Sequence, residues 1–184
     1  RADKRPGRGG GNRKNGPVQP PFEIVRNCTL KQSDFGYDVE SKGEGTVLRK
    51  LPNALSKRAT LRVTMQARLK REEGWQNGFL ALSNKTKDAD LVVVGLFIGR
   101  QSLGVFEGMS PAGGPSSEDR GDYDRDAVHE LVVEVDFASR RLVATCGKLK
   151  LEHALPKSLT AVRHVGYHLM QTKTSFSKIQ VEGE

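Results

Sequence analysis

Long apolar runs are missing from this 184-residue chain. Nowhere do 18 or more apolar residues follow one another, so no helical membrane span is expected. Cysteine is scarce: Cys28 and Cys146 are too few for a disulfide-dense scaffold. Tryptophan occurs once, at Trp75. A helical stripe is lacking too, because no i, i+3, i+4, i+7 pattern lasts three turns. The nearest stretch, 155–162, is short and contains Pro156. The chain starts at Arg1 without a signal-type apolar segment, which reads as a fragment or processed product of a longer protein. Its length suits one domain, since two would each have a thin core.

Charge is present, but unevenly. The net charge is +8. Residues 1–21 hold Arg1, Lys4, Arg5, Arg8, Arg13 and Lys14 against Asp3 alone, so most of the excess lies in one short tail. That tail has five glycines, four prolines and only Ala2 and Val18 as aliphatic side chains, too little to offset the entropy of ordering it. It reads as a flexible basic linker, with residues 22–184 as the folded domain. Contact with a polyanion or a scaffold through this arm is the alternative. No aromatic residue interleaves the basic ones to stack on bases, so nucleic acid is not favoured as a partner.

From Phe22 onward the pattern has period two. Leu61, Val63, Met65, Ala67 and Leu69 alternate with Arg62, Thr64, Gln66, Arg68 and Lys70. Leu131, Val133, Val135 and Phe137 repeat the alternation, and 141–146 follows after a three-residue connection that reads as a hairpin. Residues 91–98 form a dense apolar run broken by Gly95, and Leu103, Val105 and Phe106 lie beyond a second hairpin signal at 99–101. Weaker strands are 22–30, 45–51, 78–83, 162–170 and 176–182. About ten short strands with glycine and proline punctuation predict an all-β, two-layer antiparallel sandwich of jelly-roll type.

Three features carry candidate chemistry. The run Trp75-Gln76-Asn77 offers an aromatic platform beside amides, the groups that bind a sugar ring and its hydroxyls, against the alternative of a tryptophan covering one end of the core. Residues 110–127 form the longest stretch without a strand signal. In it, Asp122, Asp124 and Asp126 alternate as oxygen ligands for calcium would, with Tyr123 among them as an exposed contact residue. The spacing departs from the EF-hand loop, because Ala127 and Val133 occupy the sixth and twelfth positions, where glycine and glutamate are needed. Cys28 and Cys146 fall on inward strand parity, which fits two buried thiols or, in an exported domain, one disulfide. The four histidines read as ordinary strand residues.

The runs 78–82, 91–99 and 101–107 resemble the central strands of concanavalin A-like sandwich domains, laminin G-like modules among them. Residues 129–136 are similar to the strand that those modules open with Trp-His before alternating hydrophobics. The segment 141–148 is similar to the next one, with Cys146-Gly147 in place of the usual Asp-Gly corner. Residues 166–168 and 176–181 resemble the closing strands. The resemblance spans 45–184. It implies binding of sugars, proteins or steroids, and in bacteria an accessory module on an exported sugar-processing enzyme with a neighbouring domain. It also implies a test for catalysis, since glycanases of this superfamily carry Glu-x-Asp-x-Glu or Glu-x-Asp-x-x-Glu on one strand. Glu134-Val135-Asp136 begins that motif, but Ala138 and Ser139 stand where the third carboxylate belongs. The expectation is therefore a non-catalytic, extracytoplasmic module for a glycan or protein ligand. A glycan hydrolase using Glu134 and Asp136 is the alternative.

Overall fold

A computed structural model describes residues 21–69, 73, 75–85, 91–97, 101–108 and 114–184; the expected tail lies almost wholly outside them. The described residues contain thirteen β-strands and no α-helix. The strands are β1 (Ile24–Ser33), β2 (Gly36–Leu55), β3 (Arg58–Ala67), β4 (Asn77–Ser83), β5 (Leu91–Phe97), β6 (Ser102–Glu107), β7 (Ser117–Arg120), β8 (His129–Asp136), β9 (Arg141–Cys146), β10 (Leu149–Ala154), β11 (Val162–Met170), β12 (Lys173–Phe176) and β13 (Gln180–Gly183). Every pairing is antiparallel.

The ladder runs β10-β9-β8-β3-β12-β2-β11-β4-β5-β6-β7, with β1 on β2 and β13 on β3. It is folded over into two layers, and the fold line crosses β2. The start of β2 pairs with β12 (Tyr37↔Phe176 to Glu40↔Lys173), while its later half pairs with β11 (Glu44↔Met170 to Lys50↔His164). Between them, β1 slips register from Arg26↔Thr46 to Cys28↔Ser41, with Asn27 at φ 52°. Gln171, which joins β11 to β12, has φ 46°. Its amide donates to the Gly43 carbonyl at 3.0 Å. Left-handed backbone of this kind re-aims a strand, and here it turns three adjacent strands into the other layer at one corner.

On the far side the two free edges are tied by side chains. The Lys150 amide donates to Asp119 Oδ2 at 2.9 Å. His153 bridges Ser117 Oγ at 2.7 Å through Nδ1 and Glu107 Oε1 at 2.8 Å through Nε2. These three side chains form a strut across the seam between β10 and the β6–β7 edge.

The main core lies between the layers and takes the alternating sets anticipated from the sequence, including Leu61, Val63, Met65, Leu131, Val133 and Val135. The dense runs of β4 and β5 have a different cause: these strands are buried on both faces. Their inward residues Leu80, Leu82, Val92 and Val94 join the main core. Phe79, Ala81, Leu91 and Val93 build a second cluster on the outer face with Leu48, Phe97 and Phe106. Two-sided burial replaces alternation by a continuous apolar run.

Four details of the sequence reading are corrected. β2 is twenty residues long and starts at Gly36, not at 45. The 110–127 stretch contains β7, a polar strand that pairs with β6. β10 was not anticipated. The last expected strand is two, β12 and β13.

Candidate functional site

In the later half of β2, Val47 and Leu51 point into the core, so strand parity carries Arg49 inward between them. Arg49 is half-buried there, opposite Val165 in register and beside Tyr167 of β11. From the other layer comes Tyr37, at the start of β2, while Phe22, just ahead of β1, lies on Arg49's own layer, where Ile24 pairs with Leu48 and the Glu23 amide donates to the Leu48 carbonyl at 3.0 Å. Phe22 and Tyr37 meet edge to face with centroids 5.1 Å apart; Tyr167 lies 5.7 Å from Phe22 and 6.1 Å from Tyr37. Tyr167 also stacks on Phe176 at 4.5 Å and 19°. These contacts fix the rings as a floor, since each aromatic pair adds to the burial of its area.

Above this floor the layers part and leave a mouth of about 490 Å³, lined also by Gln32, Arg49 and Lys178. Gln32 and Lys178 are exposed at its rim. The Tyr167 hydroxyl donates to the Ser177 carbonyl at 2.7 Å, and burial raises its pKa far above the usual phenol range, so it remains a donor. Arg49 Nη2 donates to the Ile179 carbonyl at 3.3 Å. A guanidinium has five N–H donors, so one such bond leaves capacity for a ligand. Among the described residues no carboxylate lines the mouth. Ring edges, an amide and two cations are thus brought together in a concavity of ordinary ligand-pocket size, roughly 300–1,000 Å³.

The residues singled out in the sequence lie elsewhere. Trp75 is 58% exposed, one of two large hydrophobics so placed among the described residues, with Val128. Its neighbours turn inward. Gln76 is 3% exposed and its Nε2 donates to the Leu69 carbonyl at 2.9 Å. Asn77 is fully buried: its Nδ2 donates to the Met170 carbonyl at 2.7 Å, and its Oδ1 accepts from the Met170 amide at 2.8 Å. The two amides clamp the start of β4 rather than flank the indole ring, which corrects the picture of one shared platform. Tyr123 is half-buried rather than exposed. It packs edge to face on His129 at 5.0 Å and donates to the Phe97 carbonyl at 3.1 Å. Because Phe97 pairs with Asn77, Trp75 and the aspartate loop share one end of the sandwich.

Asp122, Asp124 and Asp126 are exposed, and Asp124 Oδ1 accepts from the Asp126 amide at 3.0 Å, closing a local turn. Among the described residues no three His, Cys, Asp or Glu side chains are grouped to hold a metal ion.

Glu134 and Asp136 share a shallow groove with Arg58 and Arg141 on the outer face of β8. The Asp136 carboxylate is fixed by the Ser139 and Ala138 amides at 3.1 and 2.9 Å and by Arg58 at 3.3 Å. The Ser139 bond foremost, then the Ala138 bond and Arg58, lower its pKa below the ordinary 3.8. A general acid for glycoside cleavage needs the reverse shift. Cys28 and Cys146 are free thiols, each pushed up to about 11 by burial.

Inward parity at Arg49 was the one sequence signal for the mouth: a cation between Val47 and Leu51 on a strand that otherwise buries that face.

No family model and no curated protein sequence matches the chain. Solved structures do. A carbohydrate-binding module from Bacillus subtilis superposes with a TM-score of 0.71 at 13% identity, over 87% of this chain and 94% of that one. Arcelin-5, a lectin-like defence protein from Phaseolus vulgaris, gives 0.59 at 11% identity, over 88% and 92%. Chicken galectin 2 gives 0.51 at 12% identity, over 77% and 98%. At these identities the likeness is one of fold, and the chain is a two-layer antiparallel β-sandwich of jelly-roll type.

Proposed function

We propose that this domain is a non-catalytic glycan-binding module whose ligand enters the mouth between the two layers. The observation that carries the reading is the lining of that mouth: the Phe22, Tyr37 and Tyr167 rings below, Gln32, Arg49 and Lys178 around them. Saccharides need an apolar surface for the ring face and fixed polar groups for the hydroxyls. The solved structures of similar fold support the reading, since their names describe a carbohydrate-binding module and a lectin-like protein. In this reading Trp75 is a second stacking surface away from the mouth, and the module serves as an accessory to a larger exported protein with a neighbouring domain.

A glycan array tests the proposal. The native chain is expected to retain a defined set of saccharides, and a Gln32→Ala/Lys178→Ala variant to lose them. Both positions are exposed, so the variant should keep the native far-ultraviolet spectrum. Equal retention by the two proteins, or retention lost only in Trp75→Ala, would place the ligand elsewhere. Turnover of a polysaccharide would overturn the non-catalytic part.

A further inference from the structure

The mouth does not stand alone. A second cavity of about 400 Å³, lined by Leu51, Pro52, Asn53 and Leu55 on one side and by Val181 and Gly183 on the other, shares Arg49 and Ile179 with it. The two form one groove with Arg49 at the junction. Each half is large enough for an ordinary small ligand, roughly 300 Å³ or more, so the groove has the length for a chain rather than for one ring.

Its charge is of one sign. Arg49 and Lys178 line it, and among the described residues no aspartate or glutamate lines either half. Arg49 is half-buried, where an ion pair is screened less than on an open surface. Its planar fork matches the two oxygens of a carboxylate or sulfate. A neutral chain would leave these cations without a counter-charge, whereas an acidic one would pair them.

We propose that the groove is built for an acidic saccharide chain, with Arg49 pairing an anionic substituent at the centre and Lys178 a second one towards the Phe22–Tyr37 end. The proposal rests on the glycan reading above and narrows it to one chemical class. The anionic group is a carboxylate or a sulfate ester, two sources of the same chemistry that the probes separate.

The test is titration calorimetry of the full chain with three probes: a galacturonic acid hexamer, the same hexamer fully methyl-esterified, and a sulfated cello-oligosaccharide. At least one acidic probe is expected to bind about tenfold or more tighter than the ester, the weight of one charge-assisted contact. Which acid binds tells carboxylate from sulfate. Arg49→Gln and Lys178→Ala should each remove most of that advantage, weakening the acidic probe by a larger factor than the ester. Lys178 is exposed, so Lys178→Ala keeps the test valid even if Arg49→Gln disturbs folding. Because residues 1–21 are themselves basic, a variant with Arg5, Arg8 and Arg13 changed to serine is run alongside, and it should bind as the native chain does. No preference of either acidic probe over the ester overturns this proposal and leaves the glycan reading standing. Loss of acidic binding in the tail variant overturns it too. No binding of any saccharide overturns both.

Discussion

His168 makes the fold sensitive to acid over a defined range. It sits in the middle of β11, fully buried, with Thr46 Oγ1 2.9 Å from Nδ1 and the Phe79 ring 6.1 Å away. Nε2 is buried with no hydrogen-bond partner among the described residues. Burial, and next the charge of Arg26, lower its pKa from 6.5 to about 4. Below pH 6.5 the unfolded chain takes up this proton and the native chain does not, so stability falls as the pH drops and levels off below about 4. A shift of that size corresponds to about 3 kcal/mol at about 1.4 kcal/mol per unit. The measurement is urea unfolding followed by circular dichroism at several pH values from 7 to 4, for the native chain and for His168→Gln. The variant has its own stability offset, so the slopes are compared and not the absolute values. The native chain should lose about 3 kcal/mol more across the window than the variant. His164 and His129, also lowered chiefly by burial, act in the same direction but are present in both proteins and cancel. Asp136 titrates below 3.8, under the window. Parallel slopes would refute the assignment of a buried neutral imidazole.

Other expectations are as sharp. Trp75→Ala should change stability by less than about 0.5 kcal/mol, because the ring is exposed, whereas Asn77→Ala should cost about 2 kcal/mol or more by orphaning the Met170 amide and carbonyl. Urea midpoints check both, and the reverse order would contradict the clamp. Gly166 lies where a Cβ would come within 1.6 Å of the Val47 carbonyl oxygen on the paired strand. Gly166→Ala should therefore cost about 4 kcal/mol or more and show as lost cooperative melting; a native melting temperature would count against the β2–β11 register. Both thiols, pushed up to about 11, should react with an aromatic disulfide reagent at pH 8 far more slowly than a small-molecule thiol does, and should reach that thiol's rate only once urea unfolds the chain.

The parts of the fold that were legible in the sequence are those where one face is wet. β3, β8 and β9 alternate because each has an exposed side, and their inward residues were identifiable one by one. β7 was not legible, because Ser117-Glu118-Asp119-Arg120 has no apolar residue and owes its extended form to pairing with β6. The start of β2 was hidden by Asp38, Glu40 and Lys42 and by the glycines of the corner. The candidate site was less legible still. Gln32, Tyr37, Arg49, Tyr167 and Lys178 share no local motif and meet only because β2 crosses between layers and β11 pairs with its later half. Trp75-Gln76-Asn77 had the right residue types in a row, but both amides are needed inside, where they hold the Leu69 carbonyl and the Met170 backbone, and only the ring is left outside.

The most direct test of the central claim is a nuclear magnetic resonance titration of the full chain with a bound saccharide, following backbone amides. The account requires that the shifts concentrate on Gln32, Tyr37, Arg49, Tyr167 and Lys178, around the mouth between the layers. Shifts confined to Trp75 and residues 121–128, with the mouth silent, would contradict it.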